Sequence, residues 1–212
     1  METYLQIAKY NLKINMLPHI LLMVLFCIFA PIIIGTQNLN SMKTAQVLEY
    51  YLSLCGPIIC IPLFLPDQNK EIRDLMKTKS IPVIVIHLIR TVELIFSLIV
   101  AILLFLLYLK ESNCDFIYEV YFYATLATCF FLGGLGALIF SISDNMILAY
   151  MIPIMYYLLC FFNKSEIMKQ FFLFSLSKGS LVEKHYLFIA GIIMIGLSII
   201  CRNTGVWKIH QR

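Results

Sequence analysis

Six apolar runs constrain this chain more than anything else in it: residues 17–35, 47–65, 81–108, 118–140, 146–162 and 186–201. A helix needs about 20 apolar residues to cross the hydrocarbon of a bilayer, and these runs cluster around that length. Of the 212 residues, 61% are hydrophobic and only 13% charged, which leaves too little polar surface for a soluble domain of this size. The pattern predicts an all-α integral membrane protein, one six-span transmembrane domain over 1–212.

Between the second and third runs lies the one densely charged stretch, within residues 66–90, carrying Asp67, Lys70, Glu71, Arg73, Asp74, Lys77 and Lys79. An ionised side chain at the bilayer centre costs about 2.5–3.5 kcal/mol on insertion scales, so this stretch faces water. Residues 68–77 contain no Pro or Gly and are mostly good helix formers. Ile72, Leu75 and Met76 fall at i, i+3 and i+4 and make a small apolar stripe on a charged helix. Such a helix either packs on the membrane surface or enters a groove on a soluble partner; a solvated cytoplasmic loop is the plainer reading.

The remaining runs carry their own punctuation. Residues 1–16 precede the first span, with Tyr4, Leu5, Ala8 and Leu12 on one face and Lys9 and Lys13 stacked at i, i+4. This predicts an interfacial helix on the cytoplasmic leaflet, the alternative being a frayed tail. Gly56-Pro57 and Pro62 predict a bent second span. In the third span His87, Arg90 and Glu93 share a face, and their depth predicts a protein-facing polar gate. The plainer reading of Arg90 and Glu93 is an intrahelical pair that neutralises two buried charges. Gly133, Gly134, Gly136 and Ala137 let the fourth span approach its neighbours closely. Glu49 reads as a residue of the outer interface.

Residues 163–185 are distinctive as well. Lys164, Glu166 and Lys169 precede an apolar patch at 171–177 that is too short to span, followed by a Lys178-Gly179-Ser180 turn. The patch predicts an extracellular re-entrant or interfacial hairpin before the last span. Orientation follows from the basic residues. The side of the termini has Lys9, Lys13, Lys70, Arg73, Lys77, Lys79, Arg202, Lys208 and Arg212, against Lys43, Lys110, Lys164, Lys169, Lys178 and Lys184 on the other. That bias puts both termini in the cytoplasm. Richness in Ile, Lys, Asn and Phe is the habit of low-GC bacterial genomes, hence a bacterial plasma membrane.

Catalytic and metal signatures are missing. Of seven cysteines all but Cys114 lie in apolar runs, where Cys behaves as a small hydrophobe, and no Cys/His spacing suggests zinc or a disulfide framework. The sequence has no P-loop, no HExxH and no GxSxG. No basic patch with interleaved aromatics points to nucleic acid. Residues 1–16 are amphipathic and no small-residue cleavage site follows the first run, so the amino terminus is not expected to be a cleavable signal.

An amphipathic lead-in, six spans, a charged helix after the second and an apolar hairpin before the sixth resemble the small permease subunits of type-2 ATP-binding-cassette exporters. In that family the segment between the second and third spans shows a Glu, a Leu, a basic-rich turn and a Pro, with a basic residue inside the third span. Glu71, Leu75, Lys77-Thr78-Lys79-Ser80, Pro82 and Arg90 stand at those places. The Gly often found after the Glu is replaced by Arg73-Asp74. The resemblance covers nearly the whole chain in layout but only residues 69–90 in motif.

The resemblance implies a coupling helix within 66–80, with Glu71, Ile72, Arg73, Leu75 and Met76 touching a separate ATPase subunit. It also implies an extracellular hairpin at 163–185 capping the pathway. Two ATPases and a second permease chain, identical or a sister, complete the assembly. ATP and Mg are then bound by the partner, and this chain holds no cofactor and is no enzyme. The small size points to a hydrophobic or amphipathic substrate, a peptide first, as in antimicrobial peptide export or self-immunity; lipids and drugs stay open. Two rival classes remain. A membrane-embedded protease needs acid and His groups facing one another across spans, and no EExxxR is present among candidates such as His19, His87, Glu49 and Glu93. The other rival is an immunity or scaffold protein without an ATPase.

Overall fold

The computed structural model describes residues 8–69, 71 and 82–204, and of 163–168 the backbone alone. Among these residues every regular element is a helix. We number the long ones α1 (Ala8–Ile34), α2 (Ser41–Gln68), α3 (Val83–Glu111), α4 (Tyr118–Ser143), α5 (Met146–Met168) and α6 (Val182–Thr204). All but α5 are long and apolar enough to cross a membrane, and α5 contains a shorter apolar stretch, Met146–Phe162. The fold is therefore all-helical and consistent with a multi-pass membrane protein. Exposed Leu21, Leu25 and Ile28 on α1, Val92, Phe96 and Leu104 on α3, and Ile189 and Ile193 on α6 would be costly in water and are unremarkable in lipid.

Helix ends follow local chemistry more than the edges of the apolar runs. α2 starts at Ser41, inside the polar connector, because the Asn40 side chain caps it by accepting from the Lys43 N–H at 3.1 Å. Asn145 does the same for α5, accepting from Ile147 N–H at 2.9 Å. The boundary expected between an interfacial helix and the first span does not appear within 8–34: α1 is continuous. Its Leu12–Met16 turn is wound as a π-helix, with Leu17 N–H reaching back to Leu12 C=O. Pro18 lacks an N–H and its ring crowds the carbonyl four residues back, so a wider turn just before it relieves the clash. The bend expected of α2 takes the form of changes in winding, from α to 3₁₀ at Leu52–Leu54, to α at Cys55–Cys60, then 3₁₀ again over Ile61–Gln68, which holds Pro62 and Pro66.

α4 lies at the centre, and α2 and α6 press on it from two sides. A Cβ at Gly133 would sit 2.7 Å from Cys60 Sγ of α2, and one at Gly134 would sit 2.7 Å from the Gly191 carbonyl of α6. Only glycine permits that approach, so the small-residue patch serves packing. α1 stays peripheral. It is tied to α2 by the Tyr51 hydroxyl donating to Phe26 C=O at 2.8 Å and by stacking of those two rings, centroids 4.1 Å apart.

Loop contacts show that successive helices alternate in direction. At one end, which we call outer, Asn38 N–H donates to Ser112 C=O and Asp115 N–H to Leu39 C=O, both at 3.0 Å. At the other, inner end, Gln68 Nε2 donates to Asp144 C=O at 2.9 Å. α5 continues to Met168 and α6 begins at Val182, so the region expected as a hairpin over 163–185 reduces to a turn segment at 169–181. Of its apolar side chains Phe171 is exposed and the others are mostly buried. Phe172, Leu173 and Phe174 are buried, packed with Phe131 and Leu132 of α4, Cys160 of α5 and Leu187 of α6, and Leu176 is buried in the main core.

Candidate functional site

Helices cross the inner end with their charged residues turned toward one another. On α3, His87 and Arg90 are buried on the face predicted for them, whereas Glu93 is half-exposed. Arg90 Nη1 donates to Asp67 Oδ1 of α2 at 2.8 Å, and His87 Nδ1 stands 3.5 Å from Asp67 Oδ2. Glu93 takes a different neighbour: Asn11 Nδ2 of α1 donates to its Oε2 at 2.6 Å. The three expected gate residues thus share a helix face and also tie α3 to two other helices.

A second ion pair completes this layer. Arg202 Nη1, near the end of α6, donates to Asp144 Oδ1 in the α4–α5 turn at 2.7 Å. Asp144 adopts the left-handed conformation (φ 50°), tolerated by a residue whose short side chain bonds locally, and this stops α4. Between the two pairs lie Phe64 and Phe140, stacked with centroids 6.4 Å apart. The Arg202 guanidinium carbon lies 5.8 Å from each ring centroid, and the His87 ring meets Phe64 edge-on. Aromatic walls exclude water, so each charge depends on its partner.

Asp67, Asp144 and Arg202 were not expected here. Asp67 reads in sequence as one more charge of a water-facing stretch, Asp144 as a turn residue and Arg202 as the start of a basic tail. Their only sequence signal is position, all three at ends of apolar runs on the same side of the bundle. Of the expected ATPase contacts, Ile72, Arg73, Leu75 and Met76 lie outside the described residues. Glu71 is exposed, and its N–H donates to Asn69 Oδ1 at 3.0 Å.

The outer end carries a cluster that the sequence reading misplaced. Glu49, expected at the outer interface, is fully buried, and so is Lys184, counted among the outer-loop cations. Lys184 Nζ lies 2.7 Å from Glu49 Oε1, 3.3 Å from Thr128 Oγ1 of α4, and donates to Leu173 C=O. Leu176 N–H donates to Glu49 Oε1 at 2.7 Å and Ser177 N–H to Oε2 at 3.0 Å. Both carboxylate oxygens are thereby satisfied. The alternation of helix directions brings the first third of α2, the start of α6 and the turn segment together, and no local pattern announces it.

Elsewhere, an apolar groove of about 330 Å³ runs between α1 and α3, lined by residues such as Val24, Cys27, Pro31, Leu104 and Tyr108. Among the described residues no three of His, Cys, Asp and Glu gather as a metal site requires. No protein-family model, curated protein or solved structure matches the chain.

Proposed function

We propose that this chain is the transmembrane permease subunit of a type-2 ATP-binding-cassette exporter. In this reading all six long helices cross a bacterial plasma membrane with both termini in the cytoplasm. The segment between α2 and α3 acts as the coupling helix of a separate ATPase, and a second permease chain supplies the other half of the pathway. The substrate is a hydrophobic or amphipathic molecule, a peptide first.

The observation that carries this reading is the polar layer at the inner end. It frames the two roots of the charged segment: Asp67 and Gln68 end α2, His87 and Arg90 begin α3, the Asp67–Arg90 ion pair crosses between them, and the His87 ring stands 3.5 Å from the second Asp67 oxygen. Gln68 and Asp144 extend the connection to the α4–α5 turn, and Arg202 extends it to α6. A push on the segment by an ATPase therefore reaches α2, α3, α4 and α6 through short polar contacts that have little slack. A purely solvated loop has no need of such a frame.

The test is co-purification of the chain with each ATPase encoded beside its gene, with and without Leu75→Asp. Capture of an ATPase that the substitution abolishes, with membrane insertion unchanged, is the expected result. Purification without any ATPase would move the reading to an immunity or scaffold protein.

A further inference from the structure

We propose that Glu49 and Lys184 are the latch of a lid, and that the lid is the turn segment 169–181 at the outer end of the bundle. The segment is short of regular structure, with single 3₁₀ turns at Lys169–Phe171 and Leu176–Lys178. Left-handed residues stand near its two ends, Lys169 (φ 36°) and Gly179 (φ 79°). Such positions bound the segment where the chain turns between α5 and α6. Between them Phe172, Leu173, Phe174 and Leu176 are inserted among the helices.

What fastens the segment is concentrated at one place. The N–H groups of Leu176 and Ser177 both end on the Glu49 carboxylate, and the Leu173 carbonyl accepts from Lys184. A third anchor lies at the edge, where the Tyr156 hydroxyl donates to Phe171 C=O at 2.8 Å. Beneath the lid the seat is aromatic: Phe174 meets Tyr50 and Tyr157 edge-on, with centroids 4.7 and 5.3 Å apart. Edge-to-face ring pairs have a preferred geometry and hold the segment down, while two backbone amides aimed at one buried carboxylate fix its register. Opening the lid uncovers an aromatic recess between α2, α4 and α5. The latch stands whether or not the chain is an exporter.

Hydrogen exchange of the full-length protein in nanodiscs, read by mass spectrometry, tests this directly. In the wild type the Leu176 and Ser177 amides are protected. Glu49→Gln leaves Lys184 without its counter-charge and weakens the acceptor, and should speed exchange across 170–178 about a hundredfold while α4 and α6 keep their rates. The charge-reversed double variant, Glu49→Lys with Lys184→Glu, keeps an ion pair between α2 and α6 but takes the acceptor away from the two amides. It should leave the lid in fast exchange in a bundle that is otherwise intact. The proposal is overturned if the lid amides stay protected in Glu49→Gln or regain protection in the reversed pair. It is equally overturned if α4 and α6 loosen as much as the lid, or if neither variant accumulates folded, since the pair is then a strut of the whole bundle.

Discussion

A carboxylate taken out of water needs hydrogen bonds and a counter-charge in return, and the two ends of this bundle supply them unequally. Glu49 has both oxygens occupied, by two backbone amides and an ammonium. Asp67 has Arg90 on one oxygen, while the other faces the His87 ring at 3.5 Å without a formed hydrogen bond. Removing one member of a buried pair costs about 3–5 kcal/mol, because the survivor is left charged in a poor solvent. Asp67→Ala should lower the thermal midpoint in detergent, and Asp67→Leu with Arg90→Met should recover most of it, since apolar replacement of a whole pair is close to neutral. Arg202→Lys should weaken the inner layer by about 1–2 kcal/mol although charge is kept: an ammonium cannot stay within cation–π reach of Phe64 and Phe140 while bonding Asp144 as a guanidinium does.

At the scale of elements, α4 and α6 owe their contact to missing side chains. A Cβ at Gly191 would come within 2.6 Å of the Phe130 backbone, and one at Gly134 within 2.7 Å of the Gly191 carbonyl. Backbone cannot step aside as a flexible side chain can. Gly191→Ala should therefore destabilise by about 1–3 kcal/mol, the range for overpacking. Gly196, one and a half turns further along the same helix, has open space where its Cβ would be. Gly196→Ala should be neutral or stabilise by up to about 1 kcal/mol through helix propensity alone. Thermal unfolding of the two variants side by side separates packing from propensity within one helix.

For the whole molecule, the ends defined by the loop contacts should map onto the two sides of one membrane. In the proposed orientation, alkaline phosphatase fused after Ser112, in the outer loop, should be active in cells, and a fusion after Asp144 or at the C-terminus should be silent. The fusion after Asp144 also tests whether α4 and α5 form a span pair despite the shorter apolar stretch of α5. Activity at both ends of the bundle would refute the orientation read from the basic residues.

Apolar runs were enough to foresee an all-helical chain and the face of α3 that carries His87 and Arg90, because both follow from short-range rules. Hydrocarbon obliges backbone groups to bond within a helix, and a helix repeats its faces every three to four residues. The small-residue patch on α4 was legible for the same reason. Partners were not. Asp67–Arg90, Asp144–Arg202 and Glu49 with the Leu176 amide are separated by 23, 58 and 127 positions, and all of these charges except Arg90 stand near the end of an apolar run, where water and a neighbouring helix are equally available. Choosing between them takes the packing of α2 and α6 on α4. That choice is tertiary because the cost of burying a charge depends on what else arrives at the same place. The turn segment 169–181 shows the same division: its shortness and apolarity were plain in the sequence, and its burial was decided only when four helices closed around it.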